Sequence, residues 1–379
     1  MRLFAFDDER CGALAAEHGT PCFVYDAATA RRSFLSLREA IPDRVRLAYA
    51  VKANPFVPLL RCLAELGASF DCASSGELER VGALGLGAGR IFFAGPGKRE
   101  NELELALRLG ARVQAEGWED LERLDALAPG ELHVNLRVHP MGGVAEQRSI
   151  IGGVGPSAFG VDEEDLVEIL ERAKSLERVR IAGLHVFAAS NERDAQKLRA
   201  TYGMVFDLAR RGGIALQQID CGGGLGVPYD ERELALDLSA LGRGLAELLR
   251  ENDWYDGELI LEPGRFLAAP CGVYLVRVVR IKESRGTHFA ILEGGINHLL
   301  RPHLTGQSFP VKAIDRDGPT QLTTLAGPLC TSLDRLGAMA LPELRPGDLL
   351  AFGMTGAYGF TEGMTHFLSH PVPAEIWVE

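Results

Sequence analysis

The stretch LAYAVKANPFVPLLRCLAELGASFDC, Leu47 to Cys72, holds one full turn of the pattern that sets the fold. Leu47 to Val51 form an unbroken apolar run of strand length. The segment PLLRCLAELG spaces its leucines along one helical face and closes on a glycine, and ASFDC follows as a second short strand. The unit recurs along the chain. Strand-like runs end near Lys52, Cys72, Ala94, Ala115, Val138, Val186, Cys221 and Glu262, and segments such as GELERVGALG, ENELELALRLG, EEDLVEILERAKSL and LSALGRGLAELLREN fill the gaps with helical spacing. Eight strands alternating with helices predict a (β/α)8 TIM barrel in preference to an open doubly wound sheet.

The same stretch poses a chemical question, because its apolar run ends on Lys52. Removing an ammonium from water costs several kcal/mol, roughly, unless it is paired or gives up its proton, and a deprotonated amine is a nucleophile. The plainer alternative is a first exposed residue after a strand, with only its stem covered. In a barrel, chemistry belongs to the C-terminal strand ends. Those ends carry Lys52-Ala-Asn-Pro, Asp71 through Glu77, Gly95-Pro-Gly-Lys98, Arg137-Val-His139, His185, Cys221 through Gly226, and Glu262-Pro-Gly-Arg265. Gly95, Gly97 and Lys98 read as a strand-to-helix turn.

Composition narrows the partners. The 379 residues are 46% apolar and 24% charged with a net charge of −12, which speaks for a soluble globular chain of one large domain and a smaller one and against a nucleic-acid or acidic-membrane surface. Seven scattered cysteines form no C-x-x-C pair, and the nine histidines show no H-E-x-x-H spacing, so neither a disulfide framework nor a metal site is expected. No apolar run approaches membrane-spanning length, and MRLFAFDDER lacks a signal-peptide pattern. A cytoplasmic protein with free thiols is expected.

The three glycines 222–224 admit two readings. One is a tight strand-to-helix turn; the other is a phosphate cradle, since loops after strands seven and eight of such barrels often hold phosphate. An eight-stranded barrel is the wrong setting for a dinucleotide fingerprint, so a monophosphate cofactor is the better match. A lysine amine, glycine amides, the carboxylate of Glu262 and a flat partner such as His185 are together what pyridoxal 5′-phosphate requires. His185 also fits a core histidine, and Arg265 a scaffold ion pair.

Beyond Ala268 the pattern turns to β, with VYLVRVVRIKES, HFAILEG, DLLAFG and AEIWVE separated by Gly, Pro and Asp. The early strand PCFVYD is placed to pair with this later sheet. The expected organisation is a barrel over residues 26–268, and a C-terminal all-β domain of residues 269–379 joined by residues 1–25.

Six ordered motifs then carry a resemblance over nearly the whole chain: YAVKAN (49–54), FDCASSGEL (70–78), CGGGLG (221–226), EPGR (262–265), GPLC followed by Asp334, and GAY (356–358). The chain resembles the fold-type III pyridoxal-phosphate-dependent decarboxylases, the group of diaminopimelate and ornithine decarboxylases, whose barrel is alanine-racemase-like. The resemblance implies that Lys52 carries the cofactor, that His185 stacks on its ring and that Glu262 pairs with its ring nitrogen. It implies further that Asp71 and Arg137 lie beside the cofactor, and that Ser190, Gly222, Gly223, Gly224, Arg265 and Tyr358 bind the phosphate region. Cys330 would return a proton to the product carbanion across the interface of a homodimer with shared active sites. HVFAASN is two residues longer than the family's spacing at Ser190.

Substrate recognition departs from the diaminopimelate pattern. Thr331 stands where that type carries an acidic residue after the cysteine, and RPHLT (301–305) keeps Arg301 but has Thr305 at the tyrosine position. IFFAGPGKRENELELAL (91–107), IGGVGPSAFGVD (151–162), HVFAASN (185–191), GGGLGVPY (222–229) and GPLCT (327–331) are more similar to the branch that includes the glutamyl-carrier-protein decarboxylase of butirosin biosynthesis. That similarity implies a small amino acid or one tethered to an acyl carrier protein as substrate, with Arg301, Thr331 and Asp334 as substrate-binding residues. Diaminopimelate decarboxylase, an amino-acid racemase of the same fold and a regulatory homologue without cofactor are the alternatives.

Overall fold

The computed structural model describes residues 1–141, 155–187 and 189–379. The chain divides into two compact units. One comprises Phe34–Val227 and Ala235–Gly264, and the other Met1–Ser33, Pro228–Leu234 and Arg265–Glu379. Strand β1 (Cys22–Asp26) belongs to the second unit.

The first unit is a closed parallel barrel. Its strands are β2 (Val45–Ala50), β3 (Ser69–Cys72), β4 (Ile91–Phe93), β5 (Arg112–Ala115), β6 (Leu132–His139), β8 (Val179–His185), β9 (Gln218–Asp220) and β10 (Glu258–Leu261), while the two-residue β7 (Val161–Asp162) adds outside β6. Neighbours run in the order β5-β4-β3-β2-β10-β9-β8-β6, and a β5–β6 pairing closes the ring. Every pairing in it is parallel. The unbroken apolar runs form strands because the barrel buries them on both faces: β3 and β4 are buried throughout, and Ala48, Phe92 and Ile260 meet in the interior. The helix Ser75–Gly82 is capped by Ser74, Ala195–Gly212 by Asp194 and Leu238–Glu251 by Asp237, each side chain accepting a backbone N–H of the first turn. These short connections return the chain so that all eight C-terminal strand ends share one rim.

The second unit is a mainly antiparallel sheet built around the long strand β11 (Gly272–Ser284). With β12 (Thr287–Leu292), β13 (Val311–Ala313), β14 (Thr320–Ala326), β15 (Arg335–Pro342) and β16 (Leu349–Phe352) it follows the order β13-β16-β11-β12-β14-β15. Strand β1 joins antiparallel to β11 and parallel to β17 (Ala374–Val378), so PCFVYD does pair with the later sheet. Cys11, Leu14, Cys22, Val24, Val273, Leu275 and Ala351 form its core, with Phe4 and Phe6 packed against them. Among the described residues no helix is long and apolar enough to cross a membrane.

Candidate active site

Strand β2 ends at Ala50, and a single 3-10 turn, Val51–Ala53, presents Lys52 at the rim. Its Nζ donates to Asp71 Oδ2 at 3.0 Å, at the end of β3, and lies 5.9 Å from the centre of the Phe187 ring. The Lys52 side chain keeps 29% of its surface open while Asp71 keeps 1%. The ammonium that ends the apolar run is therefore paired with a fully buried carboxylate. Burial, and next the charge of Glu262, push the Asp71 carboxyl above its ordinary range, and Lys52 pulls it back.

A second layer lies among the ends of β5, β8, β9 and β10. His185 Nε2 sits 3.5 Å from Glu262 Oε2, both side chains being buried. Gln114 Nε2 donates to Asp220 Oδ2 at 3.1 Å and to Glu262 Oε1 at 3.2 Å, and the Gly222 amide donates to Asp220 Oδ1 at 2.9 Å. Two carboxyls in one buried cluster do not both ionise easily. Burial, then the Glu262 charge, hold Asp220 well above the usual carboxylate range. Burial alone would also raise Glu262, but His185 and Lys52 outweigh it and hold that carboxyl at about 2. The cluster pushes Asp220 toward its protonated form and holds Glu262 in its charged one.

His185, Asp220 and Glu262 bring their donor atoms within 4.8 Å of one another, a spacing that would also suit a cation. All four carboxylate oxygens, however, already face an N–H or the His185 ring. Atoms that remain open are of another kind. Among the described residues, both His185 nitrogens, Asp71 Oδ1 and Gln114 Oε1 are buried without a hydrogen bond. Buried polar atoms left without a hydrogen bond call for a partner that supplies one.

The glycine loop after β9 has a structural reason for each residue. Gly222 and Gly224 take φ of +64° and +98°. A Cβ would come within 2.8 Å of Val186 O at Gly222, within 2.7 Å of Glu262 O at Gly223, and within 2.6 Å of Ala189 Cβ at Gly224. The tight-turn reading thus holds, and it leaves room for a cradle, since the same crowding sets backbone close against the cluster. Ser190 is half-buried beside this loop, where Glu192 N donates to Gly224 O and Gly226 N to Glu192 O, both at 2.8 Å. Residues 151–154 of the similar stretch IGGVGPSAFGVD, and Ala188 of HVFAASN, lie outside the described residues.

Arg137, at the end of β6, is held by Glu116 at 2.9 Å and lies 4.5 Å over the Phe159 ring. Glu116 also accepts the Gly95 and Gly160 amides at 3.0 and 2.8 Å. Lys98 is buried against Asp120 Oδ2 at 3.0 Å and Gly95 O at 2.8 Å, which makes it scaffold. Glu77 accepts the Ala73 amide at 2.7 Å, and burial lifts its carboxyl to about 7.

The second unit gathers the remaining expected residues into two groups. In one, Arg265 donates to the Tyr229 hydroxyl at 2.8 Å and lies 4.9 Å from the centre of the Tyr358 ring, while Arg301 lies 4.3 Å from it. The other is the turn after β14. There Cys330 is exposed, Thr331 is half-buried, and Asp334 accepts the Ile296 and Leu329 amides, each at 2.7 Å, one on each oxygen. Asp334, expected beside the substrate, has both carboxylate oxygens occupied by backbone. Thr305 donates to Arg301 O at 3.0 Å, within its own short helix. Sequence reasoning missed Gln114, Glu116, Asp220 and Glu362. The available signal for the first and third was a polar residue inside a short apolar barrel strand.

Residues 27–269 match the family described as pyridoxal-dependent decarboxylase, pyridoxal binding domain. The chain is 32% identical to the L-glutamyl-[BtrI acyl-carrier protein] decarboxylase of Niallia circulans, over 98% of this chain and 91% of that protein. It is 35% identical to the diaminopimelate decarboxylase of Vibrio cholerae, over 97% of this chain and 89% of that one. The crystal structure of diaminopimelate decarboxylase from Helicobacter pylori complexed with L-lysine is similar with a TM-score of 0.88 and 30% identity, covering 97% and 94% of the two chains.

Proposed function

Because this chain belongs to the pyridoxal-dependent decarboxylases, we propose that it removes the α-carboxylate of an amino acid with pyridoxal 5′-phosphate held at Lys52. One observation carries the reading: a lysine amine paired with Asp71 acts on a buried carboxylate, Glu262, that keeps its charge beside His185. Bound there, the cofactor supplies an electron sink for the pair released as CO2 leaves.

The chain's own residues have separable roles. Lys52 must be neutral to join an aldehyde, and Asp71, 3.0 Å away and raised by burial, is placed to take its proton. Glu262 would hold the cofactor's ring nitrogen in its protonated form, and Gln114, bonded to both Asp220 and Glu262, fixes the direction of that carboxylate. His185, whose ring nitrogens make no hydrogen bond, would stack on the cofactor ring. Gly222, Gly223, Gly224, Ser190, Arg265 and Tyr358 hold the phosphate region, and Arg137 lies beside the cofactor, held by Glu116. Of the glycines, Gly222 has already given its amide to Asp220, so its contribution is to shape the loop. Residues 26–268 act as the cofactor-binding domain, a division supported by the family match over 27–269.

Cys330 would supply a proton to the decarboxylated product in a neighbouring subunit of a homodimer. Its exposure supports this, as a thiol serving another chain must stay accessible until that chain arrives. Asp334 holds the Cys330 turn in shape. None of the seven cysteines forms a disulfide, which supports a cytoplasmic protein. The substrate is an amino acid, free or carried on an acyl carrier protein, and the glutamyl-carrier relative together with Thr331 supports the tethered form. Free diaminopimelate is the second reading, favoured by the relatives of that activity.

Borohydride reduction of the cofactor-loaded protein, followed by peptide mass analysis, tests the core of the proposal. A reduced pyridoxyl group on Lys52 supports it; a colourless protein that takes up no cofactor makes the regulatory alternative the better account.

A further inference from the structure

Strands β11, β12, β14 and β15 of the second unit lie side by side, and their register arranges the residues of one face in rows. Lys282 stands opposite Phe289, while Ile291 stands opposite Ala326, which in turn stands opposite Arg335. Residues directly opposite one another in a sheet project to the same face. Ala290, Leu292 and Leu325, on the other face, are buried, whereas Phe289 and Ile291 are half-buried and Lys282 and Arg335 exposed. The open face thus has an apolar floor with a lysine at one edge and an arginine at the other. The Arg335 guanidinium lies 5.7 Å from the centre of the Phe289 ring, which holds it over that floor. Together these residues line a cavity of about 260 Å³, with Ser284 and Thr331 also in its wall.

Charge and size decide what this groove can take. Among the described residues Lys282 and Arg335 make no ion pair, although the chain as a whole carries a net charge of −12. The carboxylate in the wall is Asp334, and both of its oxygens already accept backbone amides. Two unmatched cations on a concave wall draw an anion, and an oxyanion with several oxygens can be met from both edges at once. The volume falls below the roughly 300–1,000 Å³ of sites that enclose a whole small molecule. It suits one charged group on an apolar stem, for which Phe289 and Ile291 provide the bed. The groove also reaches the turn that carries Cys330, since Thr331 is the next residue.

We propose that this groove binds the phosphate of a carrier protein's flexible arm, the phosphate meeting Lys282 and Arg335 while the adjoining carbons of the arm lie on Phe289 and Ile291. This rests on the tethered-substrate reading above and adds to it the place where the tether is held. From there the arm passes the Cys330 turn, which serves the reacting carbon in the neighbouring subunit. A free amino acid leaves the groove empty, so the two substrate classes differ in their need for Lys282 and Arg335.

The test titrates the cofactor-loaded protein into fluorescently labelled phosphopantetheine and into labelled pantetheine, which lacks the phosphate, and follows the anisotropy. The native protein is expected to bind the phosphorylated arm about tenfold more tightly than the bare one. Lys282→Ala and Arg335→Gln are each expected to remove about threefold of that preference and the double variant all of it, with pantetheine binding unchanged. Both side chains are exposed, so the variants keep the fold. Equal affinity for the two arms, a preference unmoved in the double variant, or inorganic phosphate that binds as tightly as the phosphorylated arm would overturn the proposal. Carrier-bound glutamate turned over by the double variant with an unchanged KM would sink the groove and spare the tethered reading, whereas turnover of free amino acids alone would sink both. The coenzyme absorbance before any ligand is added shows separately whether the Lys52 assignment stands.

Discussion

Glu262→Gln, compared with the native cofactor-free protein across pH, isolates the charge on which the barrel cluster depends. In the folded chain Glu262 titrates at about 2 against an ordinary value of 4.5, because His185 at 3.5 Å and Lys52 outweigh the burial that would raise it. A carboxylate depressed on folding contributes stability that is present above the unfolded value and is lost as pH falls through the folded one. The full contribution is about 3 kcal/mol, of which about 2 kcal/mol is lost by pH 3. Glutamine has no such contribution. The stability difference between native protein and variant, read from urea unfolding at pH 7, 5, 4 and 3, is therefore expected to shrink by about 2 kcal/mol, nearly all of it below pH 5. A difference that stays constant from pH 7 to pH 3 would refute the reasoning, since it would mean that folding leaves Glu262 unperturbed, and a native protein that gains on the variant as pH falls would mean a carboxyl kept neutral in the fold.

Three further outcomes follow from the same geometry. Asp71→Ala removes the buried partner of Lys52 and is expected to lower stability by about 2 kcal/mol, below the usual figure for a buried pair because Lys52 is partly open; urea unfolding checks this, and uptake of cofactor should slow in parallel. Glu116→Gln unpairs Arg137 and weakens the hold on the Gly95 and Gly160 amides, so a loss of about 2–3 kcal/mol is expected by the same measurement. Cys330→Ala is expected to lower kcat about a hundredfold while leaving KM within a few fold, which steady-state kinetics with an accepted substrate would show.

The barrel was readable because its strands are unbroken apolar runs separated by helical spacing, a pattern that burial on both faces requires. Lys52 stood out for breaking such a run. The cluster beneath it was hidden, since Gln114 reaches residues 106 and 148 positions away and no local spacing announces either partner. Asp220 sits inside QIDC, where nothing in the sequence announces that burial and the Glu262 charge raise its carboxyl. The glycines 222–224 left two readings open, and crowding by Val186, Ala189 and Glu262 explains the turn without removing the cradle. Arg301 is expected among the substrate-binding residues, and its partner Glu362 lies 61 residues on, in a segment without a motif of its own.

The most direct test of the central claim is CO2 release by the cofactor-loaded protein and by its Lys52→Ala variant, measured against free diaminopimelate, lysine, ornithine, arginine, glutamate and aspartate and against carrier-bound glutamate. Release from at least one of these by the native protein, and from none by the variant, is the expected result. Equal release by both proteins, or inversion at the α-carbon with no CO2, would contradict the account.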